Sequence, residues 1–114
     1  MLNSVSIMGK LVSEPEFRTT PDQVSFTTFT IACERDFSGR ENEKKTDFID
    51  CIAWRGTAEY VLRHFHKGST IIIDGRLQMR SWSDKNGSWH EHAEIQADNV
   101  YFGDTSKREK SYVL

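Results

Sequence analysis

The chain has 114 residues, room for one domain with one core but not two. Its 15 basic and 17 acidic residues give a net charge of −2, so a phosphate-binding surface would have to be a local basic patch. The opening Met1-Leu2-Asn3-Ser4-Val5 has neither the basic nor the apolar region of a secretory signal, and no apolar run approaches the ~20 residues of a membrane helix.

Residues 4–11 alternate as a strand, with Val5, Ile7, Gly9 and Leu11 on one face and Ser4, Ser6, Met8 and Lys10 on the other. Gly9 predicts a bulge or a close backbone approach. Pro15 ends this strand, and Glu16-Phe17-Arg18 is a short extended piece before the turn at Pro21-Asp22. Residues 24–34 read as a second strand whose apolar parity slips between Phe26 and Phe29, which predicts a bulge around Thr27-Thr28. A polar, densely charged loop follows from Glu34 to Thr46, and Phe37 is the one aromatic in it.

The third strand, Asp47 to Trp54, organises the chain. Ile49, Cys51 and Ala53 form a small apolar set for the core, and Phe48, Asp50, Ile52 and Trp54 share the opposite face. Phe48 and Trp54 are then roughly 20 Å apart at ~3.3 Å per residue, a platform for flat ligands. Cys33 and Cys51 fall on inward positions and read as reduced core residues of a cytosolic protein, with a disulfide as the minor alternative.

Beyond Trp54 the period changes from 2 to 3.6. Ala58, Val61, Leu62 and Phe65 mark one face of a short helix, with Thr57 as its N-cap and Lys67-Gly68 as its stop. Residues 70–82 form the next strand, with Arg76, Arg80 and Trp82 on one face. Asp84-Lys85-Asn86-Gly87 is a turn signal that makes 70–82 and 88–102 a hairpin. Five strands with one helix between the third and fourth is the connectivity of the OB-fold, an all-β, five-stranded, partly open barrel. It is expected over residues 1–103, with 104–114 a short flexible segment.

Rings for base stacking interleaved with cations for phosphate are what a single-strand binder needs. Phe48, Trp54 and Trp82 supply rings, Phe37 lies on the loop before them, and Arg55, Arg76 and Arg80 lie among them. One such aromatic is more often a barrel cap or an interface residue, whereas several on adjacent strands with interleaved arginines favour function. No phosphate loop, nucleophile elbow or His-Glu-x-x-His helix is present, so the reading is not an enzyme. His64 and His66, two apart on a helix, point apart. His90 and His92 share a strand face, but lack the further ligands that zinc normally takes, so no metal or cofactor is expected.

Several motifs resemble the bacterial single-stranded DNA-binding proteins over about residues 1 to 103. These are Met8-Gly9-Lys10-Leu11, Glu14-Pro15-Glu16-Phe17-Arg18, Asp47-Phe48-Ile49 through Trp54, His66-Lys67-Gly68-Ser69, Asp74-Gly75-Arg76-Leu77 and Arg80-Ser81-Trp82-Ser83-Asp84. The resemblance implies an OB-fold that assembles as a homotetramer and wraps single-stranded DNA during replication, recombination and repair, in the cytoplasm with the nucleoid. The family's stacking positions fall on Phe37, Phe48, Trp54 and Trp82, and its basic contacts on Lys10, Arg18, Lys67 and Arg80. The face argument adds Arg35, Arg55, Arg76 and Lys85. Positions often basic in the family are here Asp50, Gln78 and Ser81, which implies weaker or more salt-sensitive binding. The family recruits replication and repair proteins through an acidic-tipped tail, whereas this sequence runs to Leu114 through a mixed, partly basic segment. A primosomal accessory protein, usually a dimer acting through protein contacts, and an oligosaccharide-binding OB module are the other readings. The uncharged outer edge of the first strand is expected to pair with its copy in a second subunit.

Overall fold

The computed structural model describes residues 1–36 and 45–103. The order is β1 (Val5–Leu11), β2 (Glu16–Thr19), β3 (Ser25–Glu34), β4 (Thr46–Trp54), α1 (Arg55–His64), β5 (Thr70–Ser83) and β6 (Trp89–Phe102). The sheet runs β1-β5-β6-β4-β3, and a short β1–β3 pairing at Lys10 and Leu11 closes it into a five-stranded barrel. The fold is thus the expected OB-type barrel with one helix between the third and fourth barrel strands. The extended piece at 16–19 is a sixth, peripheral strand laid on the outer edge of β3.

Leu11, Phe29, Ile31, Cys51, Ala53, Ile71, Ile73, Ile95 and Ala97 fill the barrel, and Ala58 and Val61 of α1, with Phe65 just beyond it, plug one end. Three local expectations need correction. First, β3 has no bulge, since its register with β4 runs unbroken from Phe26 to Glu34. The apparent slip arises because Thr27 holds an inward position, fully buried, with its hydroxyl donating to the Ala58 carbonyl at 2.9 Å. A polar side chain is stable there because its donor is satisfied. Second, Thr57 does not cap α1: Trp54 is the cap residue, and no side chain bonds the first turn. Third, Leu62 points outward, and His66 lies beyond the helix beside Glu14.

Two glycines permit the closure. A Cβ at Gly9 would lie 2.8 Å from the Ala32 carbonyl oxygen, so the close-approach reading holds in an unbulged strand. The bulge sits instead between Asp74 and Gly75, where a Cβ would meet the Gln96 carbonyl oxygen at 2.0 Å. There β5 parts from β1, while β6 stays paired with β4 over Glu94–Ala97. Beyond Gln78 and Glu94 the two strands run on as an arm, its tip set by Asp84 Oδ1 accepting from Asn86 N and Ser88 N at 2.9 Å each. Both cysteines are free, Cys51 buried and Cys33 half-buried.

Candidate nucleic-acid interface

Residues directly opposite in paired strands share a face, so the ladders assemble one outer surface row by row. Arg18, Phe26 and Trp54 form one row across β2, β3 and β4. Glu16, Thr28, Ile52, Gln96 and Arg76 form the next, and Thr30, Asp50, Glu94 and Gln78 the third. Lys10, Ala32 and Phe48 align across β1, β3 and β4. On the arm, Arg80 faces His92 and Trp82 faces His90. The two faces of β4 are as the alternation requires, except that Ile52 is buried on the outer side, between Thr28 and Gln96.

Exposure separates the rings. Phe48 is 68% exposed, Trp82 42% and Trp54 39%. The Trp54 indole packs on Phe26 with ring centroids 5.1 Å apart, and its Nε1 donates to Gln96 Oε1 at 2.9 Å. Trp54 is thus fixed in orientation with one side still open. Trp82 stacks on His90 at 5.4 Å with 21° between planes, and the Arg80 guanidinium carbon lies 5.5 Å from the indole centroid. A cleft of about 470 Å³ opens on the same outer face, lined by Glu14, Arg18, Phe26, Thr30, Asp50 and Arg80 among others; Phe48, Trp54 and Trp82 lie outside its lining.

The candidate cations divide into two groups. Lys10, Arg18, Arg76 and Arg80 stand on the outer face, although Arg76 is forked onto Asp98 at 3.3 Å and Arg18 lies 3.4 Å from Glu16. Arg35, Lys67 and Lys85 lie in the connections, and Arg55 starts α1. Arg35 makes a two-pronged pair with Asp47 at 2.9 and 3.0 Å, and its guanidinium holds that carboxyl below the usual carboxylate range. Arg55 opens α1 at φ 53, Lys67 follows the helix with its N–H on Glu14 Oε2 at 2.7 Å, and Lys85 is at the arm tip. Among the described residues, Lys10, Arg55, Lys67, Arg80 and Lys85 form no ion pair. Phe37 lies outside the described residues.

Sequence reading missed three members of this surface, Phe26, His90 and His92, and one exposed ring on the other side of the arm, Trp89. Phe26 was hidden by the false slip at Thr27 and becomes visible once Thr27 is taken as inward. His90 and His92 share the outer face as read, but each is held by a carboxylate, Asp84 at 2.7 Å and Asp50 respectively. Trp89, 64% exposed, pairs with Ser83 and so lies on the opposite side of the arm from Trp82.

A small closed barrel with open rings, cations and a cleft across its outer strands is an OB-type protein, of the class whose members bind oligonucleotides or oligosaccharides on that face. The model of the single-strand binding protein family matches residues 2–103, and the chain belongs to that family. It is 41% identical over 102 residues to the single-stranded DNA-binding protein of Halalkalibacterium halodurans, covering 90% of this chain and 61% of the relative. Identity is also 41% over 102 residues to single-stranded DNA-binding protein A of Bacillus subtilis, covering 90% and 59%. Single-stranded DNA-binding protein 1 of Staphylococcus aureus matches at 41%, covering 90% and 61%. The chain therefore spans about three fifths of the length of these relatives.

Proposed function

We propose that this chain binds single-stranded DNA without sequence preference, by stacking bases on Phe48, Trp54 and Trp82 and drawing phosphates to Lys10, Arg18, Arg76 and Arg80. The observation that carries the reading is the row-by-row register that sets these rings and cations on one outer surface. Phe37, Arg35, Arg55, Lys67 and Lys85 extend the DNA path along the connections. The reading makes the chain a binding module rather than an enzyme, acting in replication, recombination and repair beside the nucleoid in the cytoplasm. No helix among the described residues is long and apolar enough to cross a membrane.

The same proposal includes a homotetramer. Over Val5–Gly9, β1 bonds β5 along one edge, and its other edge meets β3 only at Lys10 and Leu11. An open, uncharged edge favours pairing with a second copy, and two such dimers make a symmetric tetramer. A monomer mass by light scattering at micromolar concentration overturns this part.

The binding reading is tested by titrating the chain with unstructured oligodeoxythymidine while following tryptophan fluorescence at two salt concentrations. Quenching whose affinity falls with salt is expected, because bound phosphate releases counterions. No quenching, or binding indifferent to salt, overturns it.

A further inference from the structure

The proposed binding face carries a carboxylate near its middle, where a phosphate chain gains nothing from one. Asp50 points outward from β4, with Thr30 Oγ1 donating to its Oδ1 at 2.7 Å and His92 Nε2 meeting its Oδ2. Further out on the arm, His90 Nε2 lies 2.7 Å from Asp84 Oδ2 while the same imidazole stacks on Trp82. Each histidine is therefore placed between a carboxylate and a group proposed to touch DNA, Arg80 for His92 and Trp82 for His90. The Thr30 hydroxyl, and after it His92, hold the Asp50 carboxyl below the usual range against the effect of burial; His90 does the same first for Asp84. Both acids are anionic at neutral pH.

An imidazole–carboxylate pair has charge −1 with the ring neutral and 0 with it protonated, and histidine is the side chain that ordinarily changes charge between pH 5 and 8. Resting on the single-stranded DNA reading above, we infer that His90 and His92 are further DNA-contacting residues that act as imidazolium, converting two repelling carboxylates into neutral pairs along the phosphate path. Affinity for single-stranded DNA therefore rises as pH falls from 8 to 6, and binding takes up protons.

The charged groups around these rings do not supply that dependence themselves. His92 faces Glu94 and His90 on its own strand, Arg80 from β5 and Asp50 from β4, with the uncharged Thr30 of β3 behind Asp50. His90 faces Asp84 at the turn, where Lys85 follows in the chain, and lies on the same face as Arg80 of β5 and His92. Glu14, Glu16 and Arg18 line the far side of the cleft. Carboxylates, lysines and arginines do not ordinarily titrate between pH 6 and 8. Of the other two histidines, His64 stands apart on α1 against Tyr60, while His66 lies beside Glu14 of the cleft lining.

The test is the dissociation constant for a short oligodeoxythymidine at pH 6.0 and 8.0 and constant ionic strength. Thymine has no group titrating in that interval. The unmodified chain should bind about three- to tenfold more tightly at pH 6.0. His90→Gln/His92→Gln should flatten most of the ratio, and His64→Gln should keep it. Asp50→Asn, which retains an acceptor for Thr30, should bind more tightly than the unmodified chain at pH 8.0. Equal affinity at both pH values, a ratio that survives in full in His90→Gln/His92→Gln or is lost in His64→Gln, or an Asp50→Asn chain no tighter at pH 8.0 overturns the inference. No binding at either pH overturns the single-stranded DNA reading instead.

Discussion

The indole of Trp54 and the amide of Gln96 are joined across neighbouring strands, Nε1 donating to Oε1 at 2.9 Å. Gln96 is buried, so its amide oxygen depends on that donor. Trp54→Ala should weaken binding of a short oligodeoxythymidine by ~1–3 kcal/mol per site through loss of one stacked base. Its stability cost should be about 1–3 kcal/mol from the orphaned amide, below the ~2–5 kcal/mol expected for truncating the buried Ile31 to Ala. Fluorescence titration and chemical denaturation check the two halves. An unfolded Trp54→Ala beside a folded Ile31→Ala would mean that the faces are reversed.

Arg80 should act through charge rather than stacking. Arg80→Ala should lower the slope of log affinity against log salt by about one while leaving most of the fluorescence quenching in place. Arg35→Ala should lower it less, because that guanidinium is already engaged by Asp47. Titrations at several salt concentrations measure both slopes.

The glycines offer a contrast. Gly75→Ala pushes a methyl into the Gln96 carbonyl and should cost more than about 3 kcal/mol. Gly56→Ala, inside α1 with nothing within 4 Å of the added carbon, should be neutral or stabilising by up to ~1 kcal/mol. Urea midpoints report both.

Acid should unfold the chain through four carboxylates. Asp47 is held low by Arg35, Asp50 by Thr30, Asp84 by His90 and Glu14 by the Lys67 N–H. A folded pKa below the unfolded one adds stability above the unfolded value and loses it as pH falls through the folded one. The melting temperature should therefore hold above about pH 5 and drop below about pH 4. Asp47→Asn should flatten part of that drop.

Most of the barrel was legible because alternation in β1, β4 and β5 is clean and the one helix announces itself by its period. The misreading at Thr27 has a physical cause: a threonine with a bonded hydroxyl occupies a core position that hydropathy assigns to a larger apolar residue, and this concealed Phe26 on the outer face beside Trp54. The pairing of His92 with Asp50 was invisible for another reason. Residues 42 apart meet only through the parallel β4–β6 ladder, which sets Asp50 beside Glu94, and no local pattern encodes that register. Gly75 shows the limit at single positions, since a strand glycine signals crowding without saying which backbone crowds it.

Burial of Cys51 has a practical chemical consequence. Its thiol, pushed up to about 12 chiefly by burial, offers almost no thiolate at neutral pH, and thiolate is the species that alkylates or oxidises. Native chain treated with a maleimide should therefore take its label at Cys33, the half-buried cysteine opposite Asp47 near the end of the β3–β4 ladder. A dye carried there, four residues before position 37, gives a single-attachment reporter of whether an added oligonucleotide changes its surroundings.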